Sequence, residues 1–305
     1  MAVGGNEVDN PFARLKSRYL VFATSLAVNL IILLPFWTID RAGFLPETID
    51  PMVLTALDAA SRCALLAVVV WVLRSEGVRL GALFGQGLSG LRLPRFSLVY
   101  GFFLVLSLLV FSLGSASIFI YLLSLALPNY VGLLLADVSV LETIESRFPL
   151  LYDGLIVLLV VVIAPVVEEL IFRGVLLQRW ATKWGMRRAL VGSSVLFGLL
   201  HVNNPVGLTL FGLAMGLAYV RTRSLWVPIV CHGLNNLAGV GIALLNGAIA
   251  SDEVAVTVAD VQREWRVGLF LMLVSAPFLL RFVWRNWPRD GATIPYMMNA
   301  SIGES

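Results

Sequence analysis

The residues of this chain that could do chemistry are acids, imidazoles and an amide set in apolar surroundings. Two adjacent glutamates, Glu168 and Glu169, follow the run "LIVLLVVVIAPVV". The only two histidines, His201 and His232, and Asn236 also lie in or beside apolar stretches. A polar or ionisable group within a membrane-spanning helix is costly and usually faces a protein interior or a water-filled cavity. Each of these residues is therefore a candidate for the functional site.

Helical spacing separates these residues by role. Glu169 and Arg173 are four residues apart with the acid first, which is the favourable order for an intrahelical ion pair. Glu168 points about 100° away from Glu169 on the same helix, so it is left free for chemistry. His232 and Asn236 are also four residues apart, and their side chains can both donate hydrogen bonds to one oxygen.

The depth of each group in the membrane follows from its distance along the helix to the nearest flanking arginine. A helix rises about 1.5 Å per residue, which places Glu168 about 17 Å deep and His201 about 20 Å deep. On the same scale His232 and Asn236 lie at about 14 Å and about 20 Å. These depths are near the middle of a hydrocarbon core about 30 Å thick. Three helices can therefore bring their polar groups to a single cavity.

The composition predicts the elements that must position these groups. Of the 305 residues, 59% are hydrophobic and 13% are charged, and the mean hydropathy is +0.88. We therefore predict an all-α, polytopic integral membrane protein with about eight transmembrane helices. The candidate spans lie near residues 19–37, 52–73, 97–127, 151–178, 188–203, 205–220, 225–247 and 266–284.

The basic residues predict orientation rather than a nucleic-acid partner. The net charge is +3, and most of the 22 Lys and Arg residues fall in alternate loops. This bias predicts that both termini are cytoplasmic, in the cell membrane if the source is bacterial or archaeal. We divide the chain into residues 1–149, with the N-terminal segment and the first three spans, 150–245, with the catalytic core, and 246–305, with the last span and a cytoplasmic tail.

Two other patterns bear on how the spans pack. Pro165, one turn before Glu168, removes a backbone donor and is predicted to kink the span and admit water. The stretch "GSSVLFG" and the pair Gly212 and Gly216 have the small-residue spacing of closely packed membrane helices.

Asp58 and Arg62 form another pair of opposite charges four residues apart within a span. We interpret this pair as structural. Each side chain neutralises the other while the helix faces its neighbours.

Three motifs occur in order on successive predicted helices: "EELIFR" at 168–173, "FGLLH" at 197–201 and "HGLNN" at 232–236. They correspond to the patterns E-E-x-x-x-R, F-x-x-x-H and H-x-x-x-N. The chain thereby resembles the CAAX protease and bacteriocin-processing (CPBP, or Abi) family of intramembrane proteases, also called type II CAAX prenyl endopeptidases. The resemblance covers roughly residues 150–245, and no motif position departs from the pattern.

The resemblance implies endoproteolysis of a protein or peptide at the membrane. By similarity, Glu168 and His201 activate a water, while His232 and Asn236 hold the oxyanion of the tetrahedral intermediate. Glu169, Arg173 and Phe197 then support the site. In the CAAX branch the substrate is a prenylated protein that loses its last three residues; bacteriocin or pheromone precursors and membrane-protein tails also suit the family.

Two alternatives stay open from the sequence. Glu168, His201 and His232 could form a zinc site with water as the fourth ligand, as the family's metalloprotease label suggests, but the HExxH spacing of zincins is missing. We therefore favour catalysis without a cofactor. A non-catalytic transporter, immunity or scaffold protein is the second alternative, since charged groups at mid-membrane also mark ion pathways. The repeated halves typical of transporters are not visible in the sequence.

Overall fold

The computed structural model describes residues 10–17, 26, 50–85, 98–142, 146–249 and 257–301. These segments contain helices and no strand, which confirms the predicted all-α fold. The helices are α1 (Pro51–Ser75), α2 (Leu80–Phe84), α3 (Leu98–Ala126), α4 (Pro128–Glu142), α5 (Pro149–Trp184), α6 (Met186–Leu200), α7 (Pro205–Thr222), α8 (Trp226–Ile249), α9 (Val258–Asn286) and α10 (Pro295–Ala300).

Six of these described helices, namely α1, α3, α5, α7, α8 and α9, are long and apolar enough to cross a membrane. Large apolar side chains such as Trp71, Phe102 and Phe270 are exposed on their outer faces. Water would penalise such surfaces, whereas lipid solvates them. The chain is therefore a multi-pass integral membrane protein. The N-in, C-in orientation stays a prediction.

Three of the predicted spans need comment. The first, 19–37, lies outside the described residues except for residue 26. The fifth, 188–203, is the helix Met186–Leu200, and its 15 residues reach only about 22 Å, short of a 30 Å core. The third is followed by α4, a helix that the sequence did not predict because its 15 residues are too few for a span.

The central helix α5 is interrupted by two wider, π-helical stretches, at Leu159–Ile163 and Leu170–Leu177. Pro165 follows the first of them and has no N–H for the carbonyl of Val161, four residues earlier. Widened turns of this kind occur frequently at functional sites. Before Pro165 the structure shows a local widening of the helix, which turns the carbonyls of Val160 and Val161 toward α8. The predicted kink and entry of water stay predictions.

Small residues set the distances between the helices around α5. A side chain on Gly198 would collide with Thr209 and with the backbone of Pro205, so α6 and α7 form a tight hairpin. Gly212 faces Ser194 at the same interface, where the small-residue pattern predicted close packing.

The helices α3 and α9 cross where two glycines meet. A side chain on Gly114 would collide with the carbonyl oxygen of Gly268. At the loop before α7, Asn204 caps the helix by accepting from the N–H of Gly207, and Ser115 of α3 donates to the same Asn204 oxygen at 2.8 Å. These contacts fix α3, α6, α7 and α9 as a frame around the cavity described next.

Candidate active site

A cavity of about 450 Å³ lies among α3, α5, α6, α7 and α8. Its polar lining comes from the four predicted residues Glu168, His201, His232 and Asn236 and from Asn235, which was not predicted as a site residue. Its apolar lining comes from leucine, valine, alanine and aromatic side chains. The lining includes Val160, Glu168, Phe197, His201, His232 and Asn236. A mostly apolar pocket with a few convergent polar groups is the usual form of a small-molecule or peptide site.

Glu168 meets both imidazoles in this cavity. Its Oε2 atom lies 3.9 Å from Nε2 of His201 and 3.9 Å from Nε2 of His232. The exposed fraction of the side chain is 19% for Glu168, 35% for His201 and 6% for His232. A separation of 3.9 Å is too long for a direct hydrogen bond but leaves room for a bridging water or substrate atom.

His201 lies at the C-terminal end of α6, where the last turn leaves carbonyl groups without helical partners. Its Nδ1 is 2.7 Å from the carbonyl oxygen of Phe197. Because a carbonyl can only accept, Nδ1 carries the proton in this contact. In the neutral ring Nε2 is then an unprotonated acceptor that faces Glu168.

His232 is held by a buried charged network on α5. Its Nδ1 donates to Oε1 of Glu169 at 2.9 Å, and Arg173 donates to the same oxygen at 2.8 Å. Arg173 also donates to the carbonyl of Gly212 on α7 at 2.8 Å, and its guanidinium lies 5.0 Å from the ring centre of Phe197. The ion pair predicted from the four-residue spacing is therefore present. Its link to His232 was not predicted, because that contact spans 63 residues.

Asn236 lies beside the widened turn of α5. Its Nδ2 donates to the carbonyl of Val160 at 2.9 Å. One helical turn earlier on α8, Gly233 lies against the carbonyl of Val161, where an added Cβ would be 2.7 Å from that oxygen. An asparagine amide has two N–H donors, so one remains for a ligand.

The Asp58–Arg62 pair forms as predicted, with Nε of Arg62 3.1 Å from both carboxylate oxygens of Asp58. The prediction that its role is only mutual neutralisation is incomplete. Nη1 of Arg62 also lies 3.4 Å from Oε1 of Glu168, so α1 reaches the site.

The zinc alternative requires Glu168, His201 and His232 to bind one metal ion. In the described part of the chain, no group of three His, Cys, Asp or Glu side chains is placed to hold a metal ion. Both imidazoles do present Nε2 toward Glu168, but its Oε2 atom lies 3.9 Å from each. The choice between a zinc site and catalysis without a metal therefore stays a prediction, and the steps proposed below use only side chains of the protein.

Residues 151–238 match the family model described as "Type II CAAX prenyl endopeptidase Rce1-like". This match confirms the resemblance inferred from the three motifs, and it falls within the predicted core of 150–245. No solved structure matches the chain.

A curated relative from Bacillus subtilis (strain 168) bears the name "Putative membrane peptidase YdiL" and is 32% identical over 77 residues. The alignment covers 25% of this chain and 32% of the relative, so the chain spans about a third of the protein that it matches. The family match at 151–238 covers the segment that carries the site, and the N-terminal helices lie outside it.

Proposed function

We propose that this chain, whose residues 151–238 match the Rce1-like family, is an intramembrane endopeptidase that hydrolyses a peptide bond with a water activated by Glu168 and His201. The observation that carries the proposal is the position of one carboxylate oxygen, Oε2 of Glu168, 3.9 Å from Nε2 of both His201 and His232.

The first step in this proposal is attack by water on the peptide carbonyl carbon. Nδ1 of His201 donates its proton to the carbonyl of Phe197, so Nε2 of the neutral ring is an acceptor. Nε2 of His201 and the carboxylate of Glu168 therefore present two acceptors to a water between them. As the new carbon–oxygen bond forms, a proton of the water passes to Glu168 and the carbonyl electron pair moves to its oxygen. Acid–base assistance of this kind contributes about 10²- to 10⁴-fold in rate.

The second requirement is stabilisation of the oxyanion. Nδ1 of His232 donates its proton to Glu169. When the ring carries a second proton on Nε2, that N–H can donate to the oxyanion. Asn236 supplies its second amide N–H from the next turn of α8. The intermediate then collapses: the carbon–nitrogen bond breaks, and the proton held by Glu168 passes to the leaving nitrogen.

The substrate class that we propose is a protein or peptide C-terminus attached to a lipid, with prenylated chains as the first choice. The family description supports prenylation, and the largely apolar wall of the cavity suits a lipid-bearing chain. A peptide without a lipid, or the tail of a membrane protein, is the alternative that the assay below distinguishes.

The test is cleavage by the purified protein in liposomes. Matched C-terminal peptides, farnesylated and unmodified, are incubated with the wild type, and the products are identified by mass spectrometry. The wild type is expected to release a defined C-terminal fragment, faster from the farnesylated peptide. Equal rates for the two peptides would contradict prenyl recognition while leaving the peptidase proposal intact.

The controls separate this enzyme from a contaminating protease or a carrier. Glu168→Gln is expected to abolish cleavage, whereas Glu264→Gln, the same change at an exposed site on α9, is expected to leave it unchanged. Transport of an ion across the same liposomes together with no cleavage of either peptide would overturn the proposal in favour of a carrier.

A further inference from the structure

Arg62 is a charged residue next to the site that none of the three motifs contains. It lies on α1, outside the segment 151–238 that matches the family model. Its Nη1 is 3.4 Å from Oε1 of Glu168 across the interface between α1 and α5. The arginine is itself oriented by Asp58, since Nε lies 3.1 Å from both oxygens of that carboxylate.

The two oxygens of Glu168 have different neighbours as a result. Oε1 faces the guanidinium of Arg62, and Oε2 faces the Nε2 atoms of His201 and His232. A carboxylate on a flexible side chain rotates about its last torsion with little resistance. A cation on one oxygen fixes that rotation and directs the other oxygen between the two imidazoles.

The contact between Arg62 and Glu168 differs from the buried ion pair on α5. Arg173 and Glu169 are 2.8 Å apart, and their side chains are 3% and 0% exposed, as expected of a permanent structural pair. Arg62 is 34% exposed and its distance to Glu168 is longer. Such a contact orients a carboxylate without removing it from the cavity.

We propose that Arg62 is a positioning residue for Glu168: it holds Oε1 of the carboxylate and thereby aims Oε2 at the reacting water. The inference rests on the proposed function, because it assigns Arg62 to the same hydrolytic site. It adds a contribution from α1, a helix that the family match does not include.

The charges that face Glu168 come from four helices. Arg62 with Asp58 approaches from α1, His201 from the end of α6 and His232 from α8. The buried pair of Glu169 and Arg173 lies on α5 itself, where its charges offset each other. Arg62 is therefore the guanidinium whose removal most directly changes the charge balance around Glu168.

The test is the steady-state kinetics of cleavage, at several pH values, by Arg62→Gln and Arg62→Lys. In Arg62→Gln we expect kcat to fall by up to about 100-fold, because a misaimed general base loses the productive geometry. KM is expected to change little. The fall in kcat is expected at every pH measured, because its cause is the orientation of the carboxylate.

Arg62→Lys restores the charge without the contact between Nε and both carboxylate oxygens of Asp58, so its kcat should lie between those of the wild type and Arg62→Gln. If Arg62→Gln does not fold, Arg62→Lys, which keeps the positive charge beside Asp58, is the variant on which kcat and KM are measured. The matched control is Arg74→Gln, the same change at an exposed position on the same helix, which should leave kcat, KM and the pH profile unchanged.

The outcomes distinguish the inference from the function on which it rests. Loss of cleavage in Glu168→Gln together with wild-type kcat and pH profile in Arg62→Gln would overturn the positioning role alone. A rise in KM at constant kcat would also overturn it, since Arg62 would then act on substrate binding. A wild type that cleaves neither peptide overturns the proposed function and this inference together.

Discussion

His232 donates its Nδ1 proton to Oε1 of Glu169, 2.9 Å away, on a carboxylate that also accepts from Arg173. The bond joins α8 to α5 and fixes the ring so that Nε2 faces Glu168. The two adjacent glutamates therefore have different neighbours. Glu169 is fully buried and orients an imidazole, whereas Glu168 is partly exposed in the cavity.

Arg173→Met is expected to destabilise the protein strongly. The change leaves Glu169 as a buried carboxylate without its cation, and breaking a buried ion pair in this way typically costs about 3–5 kcal/mol. Thermal unfolding in detergent measures the loss. Arg187→Met is the matched control, because its pair with Asp290 is exposed and such pairs contribute only about 0–1 kcal/mol. Equal melting temperatures for the two variants would contradict the structural role of Arg173.

Asn236→Ala is expected to reduce kcat more than it changes KM. The variant removes one oxyanion donor, a loss that typically costs about 10²- to 10³-fold in kcat. It also removes the hydrogen bond to the carbonyl of Val160. Asn129→Ala, at an exposed position on α4, is the control. An unchanged kcat in Asn236→Ala would rule out its proposed part in oxyanion stabilisation.

Gly233→Ala is expected to separate α8 from α5. The added Cβ would lie 2.7 Å from the backbone oxygen of Val161, which cannot move aside as a side chain would. Overpacking of this kind costs about 1–3 kcal/mol. Gly241→Ala on the same helix is the control, because nothing lies within 4 Å of its Cβ position. We expect the melting temperature and the rate to fall in the first variant only, and equal losses in both would contradict the close approach.

Chelation tests the choice between a metal-independent site and a zinc site. We expect the rate of peptide cleavage to be unchanged after dialysis against EDTA and in the presence of o-phenanthroline. Elemental analysis of the dialysed protein shows whether metal has been removed. Loss of the rate with loss of zinc, and its return when zinc is added, would establish the zinc alternative built on Glu168, His201 and His232.

Much of this arrangement follows from local sequence, because helical geometry fixes which side chains share a face. The spacing of Glu169 and Arg173 predicted their ion pair, and Pro165 predicted a distortion of α5 before Glu168. Composition predicted the all-α membrane fold. The shared depth of the polar groups predicted that Glu168, His201 and His232 could line one cavity, and all three do.

The remaining features depend on how helices distant in sequence pack, which no local pattern reports. Arg62 reaches Glu168 across 106 residues, and its spacing from Asp58 gave no sign of that second contact. Asn236 binds the carbonyl of Val160 only because α5 is widened there. The length of α6 also differed from the prediction, since the helix ends at Leu200, before the polar residues His201 and Asn203 that the predicted span ran into.

The central claim is that Glu168 does the chemistry while Glu169 holds the site together, and comparing Glu168→Gln with Glu169→Gln tests it most directly. Each variant is purified, its melting temperature is measured, and its rate on the preferred peptide is determined by mass spectrometry. The account predicts that Glu168→Gln unfolds near the wild-type temperature and produces no fragment, whereas Glu169→Gln unfolds at a clearly lower temperature. A Glu168→Gln protein that cleaves the peptide at the wild-type rate would contradict the account.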